Sequence, residues 1–330
     1  MENRTLGRTG RKVGVIGLGA WQLGADWGRV DEADALGTLD AALESGVSFI
    51  DTADEYGDGR SEQIIGRLLR SRARSGAALP TVATKMGRRA PQVAANYNAA
   101  NFRVWIDRSR RNLGVERLDL MQLHCPPPEV YFSDEVFDAL DALVECGAIA
   151  AYGISVRSCD QALAAIRRPN LATVQLVLNA FRLKPLEQVL PAAAAAGVGV
   201  VARVPLASGL LSGRYTAATV FGADDHRTYN RRGESFDVGE TFSGVDFATG
   251  LEAVERLRPL VPEGVALAQF ALRWIVDQEA VSVVIPGARN AGQARANAAA
   301  AALAPLDRDT LRAVQEVYDE LIRPQVHHRW

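Results

Sequence analysis

Eight short runs rich in Val, Ile and Leu alternate with longer segments of helical period, and this alternation constrains the fold more than any other feature of the chain. The runs are Val13–Gly17, Val47–Asp51, Thr81–Lys85, Leu118–His124, Ala150–Ser155, Thr173–Leu178, Gly199–Arg203 and Ser282–Ile285. They lack a clean polar alternation, as expected of parallel strands covered on both faces. Between them, Leu36, Leu39 and Leu43 share one helix face that Gly46 ends, and Ile64, Ile65, Leu68 and Leu69 repeat the device. Val136, Phe137, Leu140, Leu143 and Val144 form a third stripe, with Ser133 as N-cap and Gly147 as stop. Repeated βα units predict a parallel sheet, and eight strands is the number that closes a (β/α)8 TIM barrel. A doubly wound open sheet is the alternative.

Two departures from eightfold regularity stand out. Residues Thr5 to Val15, with LGRTGRKVG at their core, predict an N-terminal β-hairpin that leads into the first strand and plugs the bottom of a barrel. A long loop follows strand seven and includes the polar, Gly-rich Ser212 to Gly250 segment, of a length that is usually functional or mobile. We expect residues 1–330 to form a single barrel domain.

Composition narrows the function classes. With 37 Lys and Arg against 39 Asp and Glu, the net charge of −2 gives no global field to hold nucleic acid or an acidic membrane. The run Arg108-Ser109-Arg110-Arg111 reads as a solvated helix face. Three cysteines, Cys125, Cys146 and Cys159, have no CxxC spacing and fit a reducing compartment. The polar MENRTLGRTGRKVG start has no apolar signal region, and the stretch Val189 to Ala202 is too short and too broken to cross a bilayer. We therefore expect a cytoplasmic protein with no membrane and no nucleic-acid partner. His124, His226, His327 and His328 match no zinc spacing, so no metal site is expected, and His327 and His328 beside Trp330 are expected to fray.

In a parallel barrel the strand C-termini open onto one face, so residues far apart in sequence converge there. Asp51, Lys85 and His124 end strands two, three and four, and Tyr56 follows strand two by one short turn. Singly, each has a plain reading: a helix cap, a solvated strand end, a core histidine, a packing aromatic. Together they suggest proton transfer. A phenol near pKa 10 needs a cation to become a usable acid; Lys85 supplies one and Asp51 holds it, and a lowering of about three units corresponds to roughly 4 kcal/mol. His124 can then orient a carbonyl oxygen. An electron source is still required. Gly17, Gly19 and Gly24 lack the GxGxxG spacing. The eighth strand, however, runs into Pro286-Gly287-Ala288-Arg289 and a helix that Asn290 caps, with Gln293 at the capping-box position. A phosphate can sit at such a helix start, with Arg289 as a bidentate partner.

The segment Asp51-Thr-Ala-Asp-Glu-Tyr56-Gly57, continuing through Gly59, Ser61-Glu62 and Gly66, closely resembles the signature of the aldo-keto reductase superfamily. Leu118 to His124, Tyr152-Gly153-Ile154-Ser155, the Pro205 to Gly213 block and Ile285 to Arg289 resemble its other blocks in order. The resemblance implies a barrel that binds NADPH or NADP in preference to NADH, with Asp51, Tyr56, Lys85 and His124 as the catalytic tetrad. It implies that Ser155 and Gln175 hold the nicotinamide carboxamide, and that Pro205, Leu206, Ser208 and Gly209 cover the pyrophosphate. Gly19 and Arg203 would also touch the cofactor, and Gly287, Arg289, Gln293 and Asn297 would line its adenosine phosphate end. Trp21 would border cofactor and substrate, and Trp27, Pro126-Pro127-Pro128 and the loop after strand seven would help shape the pocket. Val156, Arg203 and Gly287 depart from the commonest family pattern and resemble its bacterial and potassium-channel-β-like branches. The implied reaction is reduction of an aldehyde or ketone, a sugar carbonyl among the options. The alternatives are a sugar or alcohol dehydrogenase and a cofactor-sensing regulatory subunit.

Overall fold

The computed structural model describes residues 1–24 and 30–330. Strand β1 (Asn3–Thr5) pairs antiparallel with β2 (Lys12–Gly14), and Leu18–Gly19 (β3), Phe49–Asp51 (β4), Thr81–Met86 (β5) and Leu120–His124 (β6) begin a parallel sheet. Tyr152–Ser155 (β7), Thr173–Val177 (β8), Gly199–Arg203 (β9) and Val281–Val284 (β10) complete it, in sequence order. The sheet closes on itself: Gly17 N–H donates to the Val284 carbonyl (2.8 Å), Val284 N–H to that of Val15 (2.9 Å), and Gly19 N–H to that of Pro286 (3.0 Å). An eight-stranded barrel, not a doubly wound sheet, is the outcome.

The expected first strand, Val13–Gly17, is divided between two structures. Val13 pairs with Arg4 in the hairpin, the chain bends at Val15, and the first barrel strand begins at Leu18. An apolar run reads the same whether it belongs to a hairpin or a barrel, so periodicity alone does not mark the switch. The hairpin does plug the barrel floor. Leu6 and Val13 pack with Phe49, Ala83, Leu120, Val201 and Val283 in a cluster separate from the main core. Gly7 makes this approach possible: at φ +48° a Cβ there would lie 2.1 Å from the Gly199 nitrogen. Arg8 fastens the plug by donating to the carbonyls of Arg168, Leu171 and Ala196.

Strand periodicity then builds the site. Side chains two residues apart share a face, so four of the strands that send an apolar residue into the plug send a polar one into the next layer, while Val283 of β10 is followed by Ile285. Phe49 is followed by Asp51, Ala83 by Lys85, Leu120 by Gln122 and then His124, and Val201 by Arg203. The other faces carry Ile50, Val82, Met121, Leu123, Val174 and Val200 to the main core. There the helices cover them, among them Arg60–Ser75 through Ile64, Ile65 and Leu68, and Asp134–Glu145 through Phe137 and Leu140.

The segment after β9 is more ordered than a polar Gly-rich stretch suggests. It contains the short helix His226–Tyr229, turns at Val238–Glu240 and Phe242–Gly244, and the start of the helix Phe247–Leu257. Its buried Asn230, Thr241 and Ser243 hydrogen-bond among themselves and to the barrel, as in Asn179 Nδ2 to Ser243 Oγ at 2.9 Å. The chain end is likewise packed, where fraying was the expectation. Trp330 is buried beneath the Arg182 guanidinium, 3.6 Å from ring centre to charge, and His327 Nδ1 meets the Tyr318 hydroxyl at 2.9 Å. Cation–π contact and apolar burial outweigh the entropy of a free terminus here. Among the described residues, no helix is long and apolar enough to cross a membrane.

Candidate active site

Asp51, Lys85 and His124 reach the same mouth because they end β4, β5 and β6, and the turn after β4 brings Tyr56 to them. That turn is tight. Gly57, Asp58 and Gly59 have φ of +58°, +55° and +92°, and a Cβ at Gly57 would lie 2.1 Å from the Gly24 carbonyl oxygen. The Arg60–Ser75 helix begins directly after it, and Ser61 Oγ, which donates to the Ala20 carbonyl (3.0 Å) and accepts from Thr52 (2.8 Å), fastens it.

Lys85 Nζ donates to Asp51 Oδ1 (2.5 Å), to the Thr52 carbonyl (2.9 Å) and to the Tyr56 hydroxyl (3.2 Å). The ammonium is 1% exposed, so all three of its protons are used inside the protein. Asp51 is saturated in turn, since Gln175 and Gln122 donate to its second oxygen at 2.8 and 3.1 Å. Sequence reasoning did not single out Gln122, although its place two residues before His124 on one strand puts both on the same face. The His124 ring meets Tyr56 edge to face with centroids 6.0 Å apart, and Trp21 stacks on Tyr56, also at 6.0 Å.

The phenol does not behave as the lone Lys85–Tyr56 pair predicts. Burial is the largest influence on it, and the nearby carboxylates of Asp51 and Glu55 add to it; the Lys85 charge opposes both, and the outcome is a pKa pushed up to about 12. The downward shift expected from sequence is therefore reversed: the ammonium that should lower the phenol already spends its field on Asp51. His124 is held well below its ordinary value, first by burial and then by the charges of Arg88, Lys85, Arg203 and Arg157, so it is neutral at physiological pH.

Asp51, Tyr56, His124 and Trp21 line a cleft of about 590 Å³, and the buried Lys85 backs them without entering its wall. Gly19, Arg203, Pro205, Leu206, Ser208 and Gly209 line it too, as do Gly287, Arg289, Gln293 and Asn297 from the turn and helix after β10. Gln175 also faces it, with Oε1 buried and without a hydrogen-bond partner among the described residues. Ser155 is not in the wall of the cleft; it is buried against Cys125, whose Sγ donates to its Oγ at 3.4 Å. Arg203 forms a buried ion pair with Glu240 from the segment after β9, and Ser208 Oγ donates to the Glu240 carbonyl (2.9 Å), which folds that segment over the cleft. Val220, Phe221, Arg227 and Phe236 of the same segment complete the wall. Pro126-Pro127-Pro128, expected at the pocket, do not line it, because they lead into the turn Pro128–Phe132 on the flank. Trp27 lies outside the described residues. Past β10, Asn290 caps the helix Ala291–Ala299 as expected, accepting from Gln293 N–H (2.9 Å). Gln293 Oε1 accepts from Arg289 N–H (2.9 Å) and not from the cap residue itself.

The sequence profile of the Aldo/keto reductase family matches residues 15–319. The chain belongs to that family. It is 31% identical over 299 residues to the aldo-keto reductase YhdN of Bacillus subtilis, covering 90% of this chain and 87% of that one. The glycerol dehydrogenase of Gluconobacter oxydans superposes with a TM-score of 0.77 at 29% identity, over 94% of this chain and 93% of that one. An aldo-keto reductase of Klebsiella pneumoniae, solved in complex with NADPH, has the same fold, with a TM-score of 0.69 at 22% identity over 96% of each chain.

Proposed function

We propose that this aldo-keto reductase uses NADPH to reduce an aldehyde or ketone to the alcohol, with Tyr56 as proton donor. The observation that carries the reading is the contact set around one phenol: Lys85 Nζ lies 3.2 Å from its oxygen and is itself tied to Asp51, and the phenol lines a cleft. The residues along that cleft suit a dinucleotide. The unpartnered Gln175 Oε1 is an acceptor for a carboxamide N–H, and Arg289 beside a helix start is a partner for phosphate. NADPH, when bound, supplies the hydride for the carbonyl carbon.

The protein's own part is proton management. A phenol with a pKa of about 12 is fully protonated at neutral pH, so Tyr56 always has a proton to give to an oxygen that is becoming an alkoxide. Lys85 gains a partner as the phenolate forms, because it is already within hydrogen-bond distance and need not move. Asp51, Gln122 and Gln175 hold the ammonium in place. A neutral His124 offers a single N–H, so it polarises the carbonyl by hydrogen bonding and not by charge. The reverse reaction, alcohol oxidation, needs the phenolate at the outset, so it should quicken as pH rises while the net direction follows the cofactor pool.

Tyr56→Phe removes the proton and keeps the ring. Carbonyl turnover should fall by at least about a hundredfold, with NADPH still bound, as read by quenching of tryptophan fluorescence. Near-normal turnover in this variant would remove Tyr56 from the mechanism.

A further inference from the structure

Among the described residues, Arg214 and Arg289 line the cleft as exposed cations, Arg88, Arg203 and Arg227 line it half-buried, and Lys85 is buried beside it; of these last four, three have a carboxylate in contact. Lys85 has Asp51, Arg203 has Glu240, and Arg227 has Asp225. Arg88 is different. It lies just past the end of β5, follows Gly87, and lines the same cleft as Tyr56, His124 and Trp21. Its Nε donates to the main-chain carbonyl of His124 at 3.3 Å, and its nearest carboxylate, Glu55, is 3.8 Å from Nη1. That carboxylate is shared, since Glu55 Oε1 also lies 3.3 Å from His124 Nδ1. The remaining nitrogen, Nη2, is sealed from solvent and has no hydrogen-bond partner among the described residues.

A guanidinium kept largely out of water, with one face unpaired and no dedicated counterion, is a costly arrangement for a folded protein to keep without use. A ligand that enters the cleft and brings two coplanar oxygens repairs it, because the fork of N–H groups matches a carboxylate in both charge and shape. The His124 carbonyl fixes the guanidinium from behind, so it is preorganised next to the imidazole.

Resting on the reductase reading above, we propose that Arg88 is a specificity-determining residue and that the substrate is a short oxo acid, an aldehyde or ketone with a carboxylate near the reacting carbonyl. No new chemical step is involved. Hydride adds to the carbonyl carbon, the former π pair on oxygen takes the Tyr56 proton, and the substrate carboxylate leaves unchanged.

The test compares matched substrates: 4-oxobutanoate against butanal, and glyoxylate against acetaldehyde, each by kcat/KM with NADPH. The wild type should prefer the acid in at least one pair by about tenfold or more, chiefly through KM, and Arg88→Gln should erase that ratio while Arg88→Lys restores part of it. A wild-type ratio at or below one in both pairs overturns the proposal, as does an Arg88→Gln variant that slows acid and neutral substrate equally. Should Arg88→Gln not fold, the wild-type ratio and the Lys variant still decide. Failure to turn over any of the four carbonyls counts against the reductase reading itself, whereas turnover without preference counts only against the role of Arg88.

Discussion

Asp54, two residues before Tyr56, is a buried carboxyl that the proposed chemistry does not use. Its side chain is fully buried, and its carboxylate has no side-chain hydrogen-bond partner among the described residues, only weak support from the Glu55 backbone N–H. Burial is the main force on it, the charges of Glu62 and Glu55 push the same way, and Arg108 only partly opposes them, so its pKa is pushed up to about 8. Glu62 keeps donors of its own, Thr84 Oγ1 at 2.6 Å and Asn112 Nδ2 at 2.8 Å, and does not share them. A carboxyl raised in the folded state binds a proton there that the unfolded chain releases near pH 4, so stability must fall as pH climbs from about 4 through 8. At about 1.4 kcal/mol per unit, the burden grows from roughly 1.5 kcal/mol at pH 5 to roughly 5 kcal/mol at pH 8. Asp54→Asn keeps the shape and removes the titration. The variant should gain roughly 4 kcal/mol relative to wild type between those two pH values, read as the difference in urea unfolding free energy at each pH. Ionisable groups that do not touch Asp54 are common to both proteins and cancel, and the repulsion from Glu62 and Glu55 is already contained in its raised pKa. Parallel pH dependences, within about 1 kcal/mol, would show that the Asp54 carboxyl is solvated or paired in solution and that the burial argument is wrong.

Three further outcomes follow from the geometry. Arg289→Ala should weaken NADPH binding by about tenfold or more while leaving NADH nearly unaffected, measured by fluorescence titration; equal losses would make Arg289 a mere helix-end charge. Leu6→Ala, at the completely buried tip of the hairpin plug, should cost about 2–5 kcal/mol in chemical denaturation, and a cost near zero would mean the barrel floor closes without the hairpin. With Tyr56 near 12, the chemical step of reduction should be flat from pH 6 to 9, and alcohol oxidation should rise about tenfold per pH unit, in single-turnover measurements. An inflection of the reductive step near pH 8 would instead support a phenol lowered by Lys85.

The sequence made the barrel legible for one physical reason: its strands bury both faces, so apolar runs survive as runs, and their last polar residue is what the mouth receives. Asp51, Lys85 and His124 were readable in that way, and Tyr56 through the short turn behind Asp51. What stayed hidden depends on neighbours no spacing records. Val13 looks like the head of a barrel strand until Arg4 claims it, and Trp330 looks like a loose end until Arg182 covers it. The segment after β9 looks like a loop because its order comes from buried Asn, Thr and Ser side chains, whose hydrogen bonds leave no apolar period to detect.

The same blindness explains the reversed shift on Tyr56. Pairwise reasoning sees a phenol beside an ammonium and predicts an easier proton. The folded barrel adds two terms that sequence cannot weigh, the loss of water around the hydroxyl and the prior claim of Asp51 on the lysine charge, and they win. A site arranged like this holds its acid proton firmly until negative charge develops on a bound oxygen, and Lys85, already aligned and already dehydrated, then meets that charge without further reorganisation. On this view the role of Lys85 is to stabilise the phenolate as it forms: burial keeps the resting pKa of Tyr56 high, and the buried, fully hydrogen-bonded ammonium that opposes that rise is what makes the phenol competent as a donor.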